Sequence, residues 1–214
     1  MRRELMPSGR LIMIEEEEPI DLLAFAETLG EIQEWSFGKI NALRPDPTKE
    51  NYLYTDRAVP FHWDGAFTAR VPRYIVFRCV EAPSSGGETL FVDTVRLLEQ
   101  SPLEMIEAWR DVRITYSTDK VVHYGGRFTS PLIVQHGITK EEVLRFAEPV
   151  RDLNPVALEG ASDGLIADLS ERLRANAHVH RWRPNQILIA DNFALLHGRN
   201  AFAGHRHLER VNVY

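Results

Sequence analysis

A mainly β chain with flanking helices, wound as a double-stranded β-helix (a jelly-roll, cupin-like core), is the fold class that three features of the 214-residue sequence predict. Short apolar and β-branched runs recur between turn signals, histidine and carboxylate side chains fall at the ends of such runs, and helical periodicity is confined to a few segments. A closed β architecture of this length commonly forms one unit, so residues 1–214 are expected to be a single domain.

Pro19 followed by Ile20, Leu22, Leu23, Phe25, Ala26 and Leu29 has helical spacing, with proline suited to a first turn and Gly30 to a stop. Glu15 to Glu18 ahead of it reads as a solvated charged face. Arg44-Pro45-Asp46-Pro47 continues neither a helix nor a central strand and marks a loop. Tyr74 to Val80 is rich in β-formers, Ala82 to Gly87 supplies a turn, and Thr89 to Val92 returns as strand. Ser101-Pro102 opens a helix to about Arg110, with Leu103, Ile106 and Trp109 on its inner face. Two readings compete between Ile114 and Leu158. Thr139-Lys140-Glu141-Glu142 has the form of a helix capping box, whereas Ile133-Val134 and Val143-Leu144 read as two strands of a hairpin. Ser162 is placed to cap a helix carrying Leu165, Ile166, Leu169 and Leu173, and Gln186 to Ala190 reads as a short buried strand.

The balance of 25 basic against 31 acidic residues, a net of -6, offers no basic stripe and argues against a nucleic-acid surface. Cys79 is the only cysteine, which excludes an intrachain disulfide and a thiolate cluster. Its default role is a small buried residue, since no activating cation is evident beside it. The apolar run Leu11 to Ile14 is too short for a signal sequence and no membrane span is evident, so a cytoplasmic location is expected. The oligomeric state stays open.

Chemistry is concentrated in two distant segments, Phe61-His62-Trp63-Asp64-Gly65 and Asp191-Asn192-Phe193-Ala194-Leu195-Leu196-His197-Gly198-Arg199. In an extended strand, positions two apart project from one face, so the His62 imidazole and the Asp64 carboxylate can close on one ion, with His197 as third ligand. Two imidazoles and one carboxylate on one face of an octahedron suit non-heme Fe(II) and leave room for a cosubstrate and molecular oxygen. Trp63, between two ligands, should point to the opposite face and pack in the core. Asn192 reads as a turn residue. Arg206-His207-Leu208-Glu209-Arg210 then places two guanidiniums on one face of an apparent C-terminal strand, and a planar fork of donors is the natural partner of a carboxylate. Four residues of strand span roughly 13 Å, so the two arginines serve different anions or different ends of one.

The order His-x-Asp, Gly86-Gly87-Glu88-Thr89, a distant histidine and then Arg-x-x-x-Arg resembles the taurine dioxygenase (TauD/TfdA) family of Fe(II)/2-oxoglutarate oxygenases, from about Phe61 to the end of the chain. The resemblance implies iron held by His62, Asp64 and His197, with the far carboxylate of 2-oxoglutarate held by Thr89 and Arg206. It implies Arg210 as the second arginine, which in some members reaches the substrate anion. Arg206 falls closer behind His197 than the family pattern leads one to expect, so the roles of the two arginines stay interchangeable at this point. His62-Trp63-Asp64-Gly65, His123-Tyr124-Gly125-Gly126-Arg127-Phe128 and Val143-Leu144-Arg145-Phe146-Ala147-Glu148-Pro149 further resemble the branch acting beside isonitrile synthases in natural-product pathways (PvcB-like).

The implied activity is hydroxylation or desaturation of a small amino-acid-derived carboxylate, and the retained Asp64 argues against halogenation. A zinc-dependent hydrolase built on the same three ligands, or a non-catalytic metal-binding jelly roll, remains open, though neither needs Thr89 and the paired arginines. Residues 120–145 are expected to close over the substrate as a lid carrying Lys120, His123, Tyr124, Arg127 and Arg145, with Gly125-Gly126 supplying mobility. If that segment is scaffold, the substrate contacts belong near Tyr52, Tyr54 and Phe67.

Overall fold

A computed structural model describes residues 2–15, 17–49, 51–67, 70–119, 126–152 and 155–214. Two antiparallel sheets carry the architecture. The larger has the order β1 (Arg2–Glu4), β2 (Leu11–Glu15), β14 (Gln186–Asp191), β5 (Tyr74–Glu81), β17 (His207–Val213), β3 (Asn41–Leu43). The smaller has the order β13 (His178–His180), β7 (Thr89–Asp93), β15 (Leu195–Arg199), β4 (Val59–His62). Apart from the β1–β2 hairpin, neighbouring strands are distant in sequence, as the double-stranded β-helix predicted from the sequence requires. A short ladder of β6 (Ser85–Gly86) with β16 (Phe202–Ala203) lies beside them. A further sheet has the order β12 (Ala157–Glu159), β8 (Arg113–Ser117), β9 (Arg127–Pro131), and β10 (Ile133–Gln135) pairs with β11 (Glu142–Leu144).

Alternation along the strands sorts the side chains. In β5, Ile75, Phe77 and Cys79 point into the space between the two sheets, where they meet Phe91, Leu188 and Leu195, while Val76 points outward. Helix α1 (Leu22–Glu27) covers that outer face through Leu22 and Ala26, against Val76, Ile187, Val211 and Val213. The outer face of the smaller sheet is covered by α2 (Thr94–Glu99), α3 (Leu103–Arg110) and α4 (Asp163–Ala175) around Phe61, Trp63, Val92 and Leu196. Each large apolar side chain so enclosed contributes about 1.5–3 kcal/mol. Trp63 is core, as expected, with its ring edge-on to Tyr116 at 5.4 Å.

Several elements differ from their sequence reading for identifiable reasons. Helix α1 is shorter than the span from Pro19 to Gly30, because Asp21 caps it by accepting from Leu23 N and Ala24 N, and its last turn tightens at Thr28 and Leu29. Glu15 is the end of a strand rather than part of a charged face, and Gln186 Nε2 donates to it at 3.2 Å; Glu16 lies outside the described residues. Leu103 has the right period for the inner face of α3 but is 70% exposed, while Trp109 is the buried residue there. Helix α2 was not anticipated; Asp93 caps it.

The capping-box reading of Thr139 to Glu142 gives way to the β10–β11 hairpin. His136 Nδ1 takes the backbone N–H groups of Ile138 and Thr139, and Lys140 sits at φ 66, where a helix cannot run. Ser162 caps α4 as expected, accepting from Leu165 N at 3.2 Å. No described helix is long and apolar enough to cross a membrane.

Candidate active site

His62 ends β4 and His197 lies in β15, and the two are register partners across the smaller sheet, with ring centroids 4.2 Å apart. Asp64 is not in the strand, as the two-residue spacing suggested, but in the turn that follows it, with Gly65 at φ 93 carrying the chain away. The turn returns the carboxylate to the histidines. Asp64 Oδ1 stands 3.7 Å from His62 Nε2 and 3.8 Å from His197 Nε2, and one ligand atom from each of the three residues lies within 4.8 Å of the others.

The electrostatics suit a cation. His62 Nδ1 donates to Pro60 O at 2.9 Å, which fixes the tautomer and leaves Nε2 as a free lone pair. Burial lowers the pKa of His62 and pushes His197 well below the usual histidine range, so both imidazoles are neutral. For Asp64 burial acts upward, but the charge of Arg210 outweighs it and holds the carboxyl below the usual carboxylate range. Arg210 Nη1 lies 3.1 Å from Asp64 Oδ1 and 3.0 Å from Oδ2, yet only the first contact has hydrogen-bond geometry, and buried Oδ2 accepts no hydrogen bond. Two neutral imidazoles and a carboxylate with an orphaned oxygen fit Fe(II).

Asn192, read from sequence as a turn residue, does more. Its side-chain oxygen accepts from Asp64 N at 2.9 Å while its amide donates to Asp64 O at 2.9 Å and Pro72 O at 2.8 Å. It clamps the backbone of the carboxylate ligand. Asn192→Ala should weaken Fe(II) binding about tenfold or more, as loss of groups that orient ligands generally does, and anaerobic metal titration measures it. Unchanged affinity would reduce Asn192 to a packing role.

Arg145 is not a lid residue. It is buried, its Nη1 donates to Asn192 O at 3.3 Å, and it lies over the rings of Trp63 and Phe193, where burial pushes its pKa down to about 10. A basic residue in a loop defaults to the surface, but here two aromatic faces and a carbonyl accommodate it. Arg127 points outward and pairs with Glu159 at 2.6 Å on the edge of the β8 sheet. Lys120, His123, Tyr124 and Gly125 lie outside the described residues.

Two cavities meet at the metal ligands. The smaller, about 30 Å³, is lined by His62, Thr89, His197, Arg199, Arg206 and Arg210, among others. Arg206 is 3% exposed, its Nε and Nη1 have no acceptor, and burial pushes its pKa down to about 9. Such a cation is costly unless an anion joins it. Thr89 Oγ1 accepts from Trp182 Nε1 at 2.9 Å, which commits the hydroxyl proton to a further acceptor. This donor set fits the far carboxylate of 2-oxoglutarate. Arg210 lines both cavities and is bound to Asp64, a partner its sequence position did not suggest.

The larger cavity, about 180 Å³, opens on the other side of the ligands between Trp35, Tyr52, Tyr54, Phe61, Trp63 and Phe67. Burial pushes the Tyr52 phenol up to about 12, so it stays protonated. Tyr52, Tyr54 and Phe67 are the residues named from sequence for the case in which the lid is scaffold, and they wall this space. Cys79 is buried, its thiol pushed up to about 11, and it has no part in either cavity's chemistry.

A jelly roll with two histidines and a carboxylate between its sheets, beside a buried arginine awaiting an anion, defines an Fe(II)- and 2-oxoglutarate-dependent dioxygenase. Comparison with known proteins agrees: the model of the taurine catabolism dioxygenase TauD, TfdA family matches residues 15–212, and the chain belongs to that family. It is 43% identical over 217 residues to the 3-((Z)-2-isocyanoethenyl)-1H-indole synthase of Fischerella ambigua, covering 94% of this chain and 78% of that protein. To the tyrosine isonitrile desaturase of Pseudomonas aeruginosa it is 34% identical, covering 90% of this chain and 72% of that one. The crystal structure of PvcB from Pseudomonas aeruginosa superposes with a TM-score of 0.76 at 30% identity, over 97% of this chain and 76% of that one.

Proposed function

We propose that the protein desaturates the side chain of an aromatic amino acid whose amino group has become an isonitrile. The aromatic-walled cavity against His62 and Asp64 carries this reading, since it offers ring surfaces to an aromatic side chain and the unused Nε–H of Arg210 to a carboxylate. The relatives named for an isocyanoethenyl indole and for tyrosine isonitrile support the same substrate class.

Bound at His62, Asp64 and His197, iron supplies oxygen activation coupled to the decarboxylation of 2-oxoglutarate to succinate. The chain's own residues supply the rest. His62, Asp64 and His197 would hold the ion through two imidazoles and one carboxylate, a donor set suited to Fe(II). Arg206 and Thr89 fix the far carboxylate of 2-oxoglutarate, Arg210 keeps Asp64 ionised, and the aromatic wall excludes water from the reacting carbon. The balance is one oxygen molecule and one 2-oxoglutarate consumed per substrate. Two substrate hydrogens leave as water with one oxygen atom, and succinate and carbon dioxide carry the other. That balance holds where the substrate keeps its carboxylate; where the carboxylate leaves as a second carbon dioxide when the double bond forms, one substrate hydrogen and one proton from solvent make the water instead.

A zinc hydrolase or a silent metal-binding protein would leave Arg206 buried without purpose. Anaerobic addition of Fe(II) and 2-oxoglutarate should give a weak visible charge-transfer band. Adding the isocyano acid of tryptophan or tyrosine and then oxygen should release succinate in step with an alkene product read by mass spectrometry. Stoichiometric succinate with a hydroxylated product instead would make the enzyme a hydroxylase, and absence of the band would reject 2-oxoglutarate as cosubstrate.

A further inference from the structure

Arg199 stands two residues beyond His197 on β15, in register with Thr89, and lines the smaller cavity together with Arg206. It is buried, yet no carboxylate pairs with it at hydrogen-bond distance among the described residues. Instead it grips three backbone carbonyls of one passing segment. Its Nη1 donates to Leu53 O at 3.2 Å, and its Nη2 donates to Thr55 O at 2.7 Å and Arg57 O at 2.6 Å. Phe202 lies against both guanidiniums, and its own N–H binds Asp56 O at 2.9 Å, so residues 53–57 are strapped down at four points.

One end of that strap lies between the two cavities, beside His62 and Arg210. Leu53 lines both, and Asn51, Tyr52 and Tyr54 next to it line the larger one. One donor of Arg199 is left over: its Nε is buried and has no acceptor, like Nε and Nη1 of Arg206 in the same cavity. Two buried guanidiniums with three unused nitrogens between them repel each other when the cavity holds no anion, and a carboxylate between them converts that repulsion into attraction.

We propose that Arg199 is a positioning residue that ties cosubstrate occupancy to the substrate wall: its Nε–H receives the far carboxylate of 2-oxoglutarate while its two terminal nitrogens hold the 53–57 strap. Fixing one edge of a planar guanidinium fixes the others, so an anion in the small cavity orders the wall of the large one. Binding of 2-oxoglutarate therefore tightens substrate binding, and by linkage the reverse holds equally. The inference rests on the assignment of the smaller cavity to 2-oxoglutarate.

The test is a coupling measurement under argon with Fe(II)-loaded protein, using the isocyano acid of tryptophan as probe, its dissociation constant read from protein fluorescence with and without 2-oxoglutarate. In the wild type 2-oxoglutarate should tighten the probe about tenfold, within the usual range of coupling between sites, and in Arg199→Gln the factor should fall to about twofold. Arg199→Lys, which keeps the charge but not the fork, should retain only part of it. Amides of Leu53, Thr55 and Arg57 should gain hydrogen-exchange protection on adding 2-oxoglutarate to the wild type, a measurement that needs no variant to fold. A coupling factor undiminished in Arg199→Gln, or unchanged strap protection in wild type that shows the charge-transfer band, would overturn the proposal. A wild type without the band would overturn the cosubstrate assignment and this inference with it.

Discussion

Purified His197→Ala protein is expected to bind no stoichiometric iron and to release no succinate, while keeping its fold. His197 is one of only three ligand-bearing side chains in the cluster, and a carboxylate and one imidazole do not hold Fe(II) against water and buffer. The ring sits against those of Phe77 and Phe91, at 5.9 Å and 6.4 Å between centroids, so its loss also removes packing. That loss costs about 1–3 kcal/mol, within what a domain of this size tolerates. Metal analysis after anaerobic loading, together with thermal melting by circular dichroism, separates the two effects. Partial rescue by added imidazole is the confirming signature, and full turnover without it would remove His197 from the ligand set.

Arg206→Met should produce two changes of opposite sign. Affinity for 2-oxoglutarate should fall, because removing a charge-assisted partner from a buried carboxylate costs on the order of 2–5 kcal/mol. That is about thirtyfold to several thousandfold in the dissociation constant. The ligand-free protein should at the same time melt higher, since methionine fills a similar volume and relieves the interior of a cation whose Nε and Nη1 have no acceptor. A carboxylate-binding residue already paired within the protein would show only the first change. If 2-oxoglutarate binding instead depends on Arg210 and not on Arg206, the roles of the two arginines are exchanged, an outcome the bond from Arg210 to Asp64 argues against.

That His62, Asp64 and His197 come together was legible because His62 and Asp64 are near neighbours in sequence and His197 and the arginines follow in a fixed order. The jelly roll was legible for a related reason, since runs rich in β-formers such as Tyr74 to Val80 are written locally. What supports the site was not. Asn192 acts on Asp64 across 128 positions, Arg199 on Leu53 across 146, and Trp182 on Thr89 across 93, and no local pattern announces such pairs. Arg145 misled for the complementary reason: a cation beside a candidate loop reads as surface until the rings of Trp63 and Phe193 are seen beneath it. Leu103 misled because period alone does not say whether anything covers a helix face.

The Arg206 guanidinium, whose Nε and Nη1 have no acceptor, also bears on how long the protein lasts in a cell. A ligand that binds only the folded state stabilises it by an amount that grows with concentration, about 2.7 kcal/mol at a hundredfold excess over the dissociation constant. Here that ligand would also neutralise a buried charge left by the sequence itself. Proteases and chaperones act on the small unfolded fraction, so differences of this size alter abundance severalfold. A cell rich in 2-oxoglutarate would then retain the enzyme, and a cell starved of it would degrade the enzyme faster, so that supply of the cosubstrate sets the amount of catalyst as well as its rate.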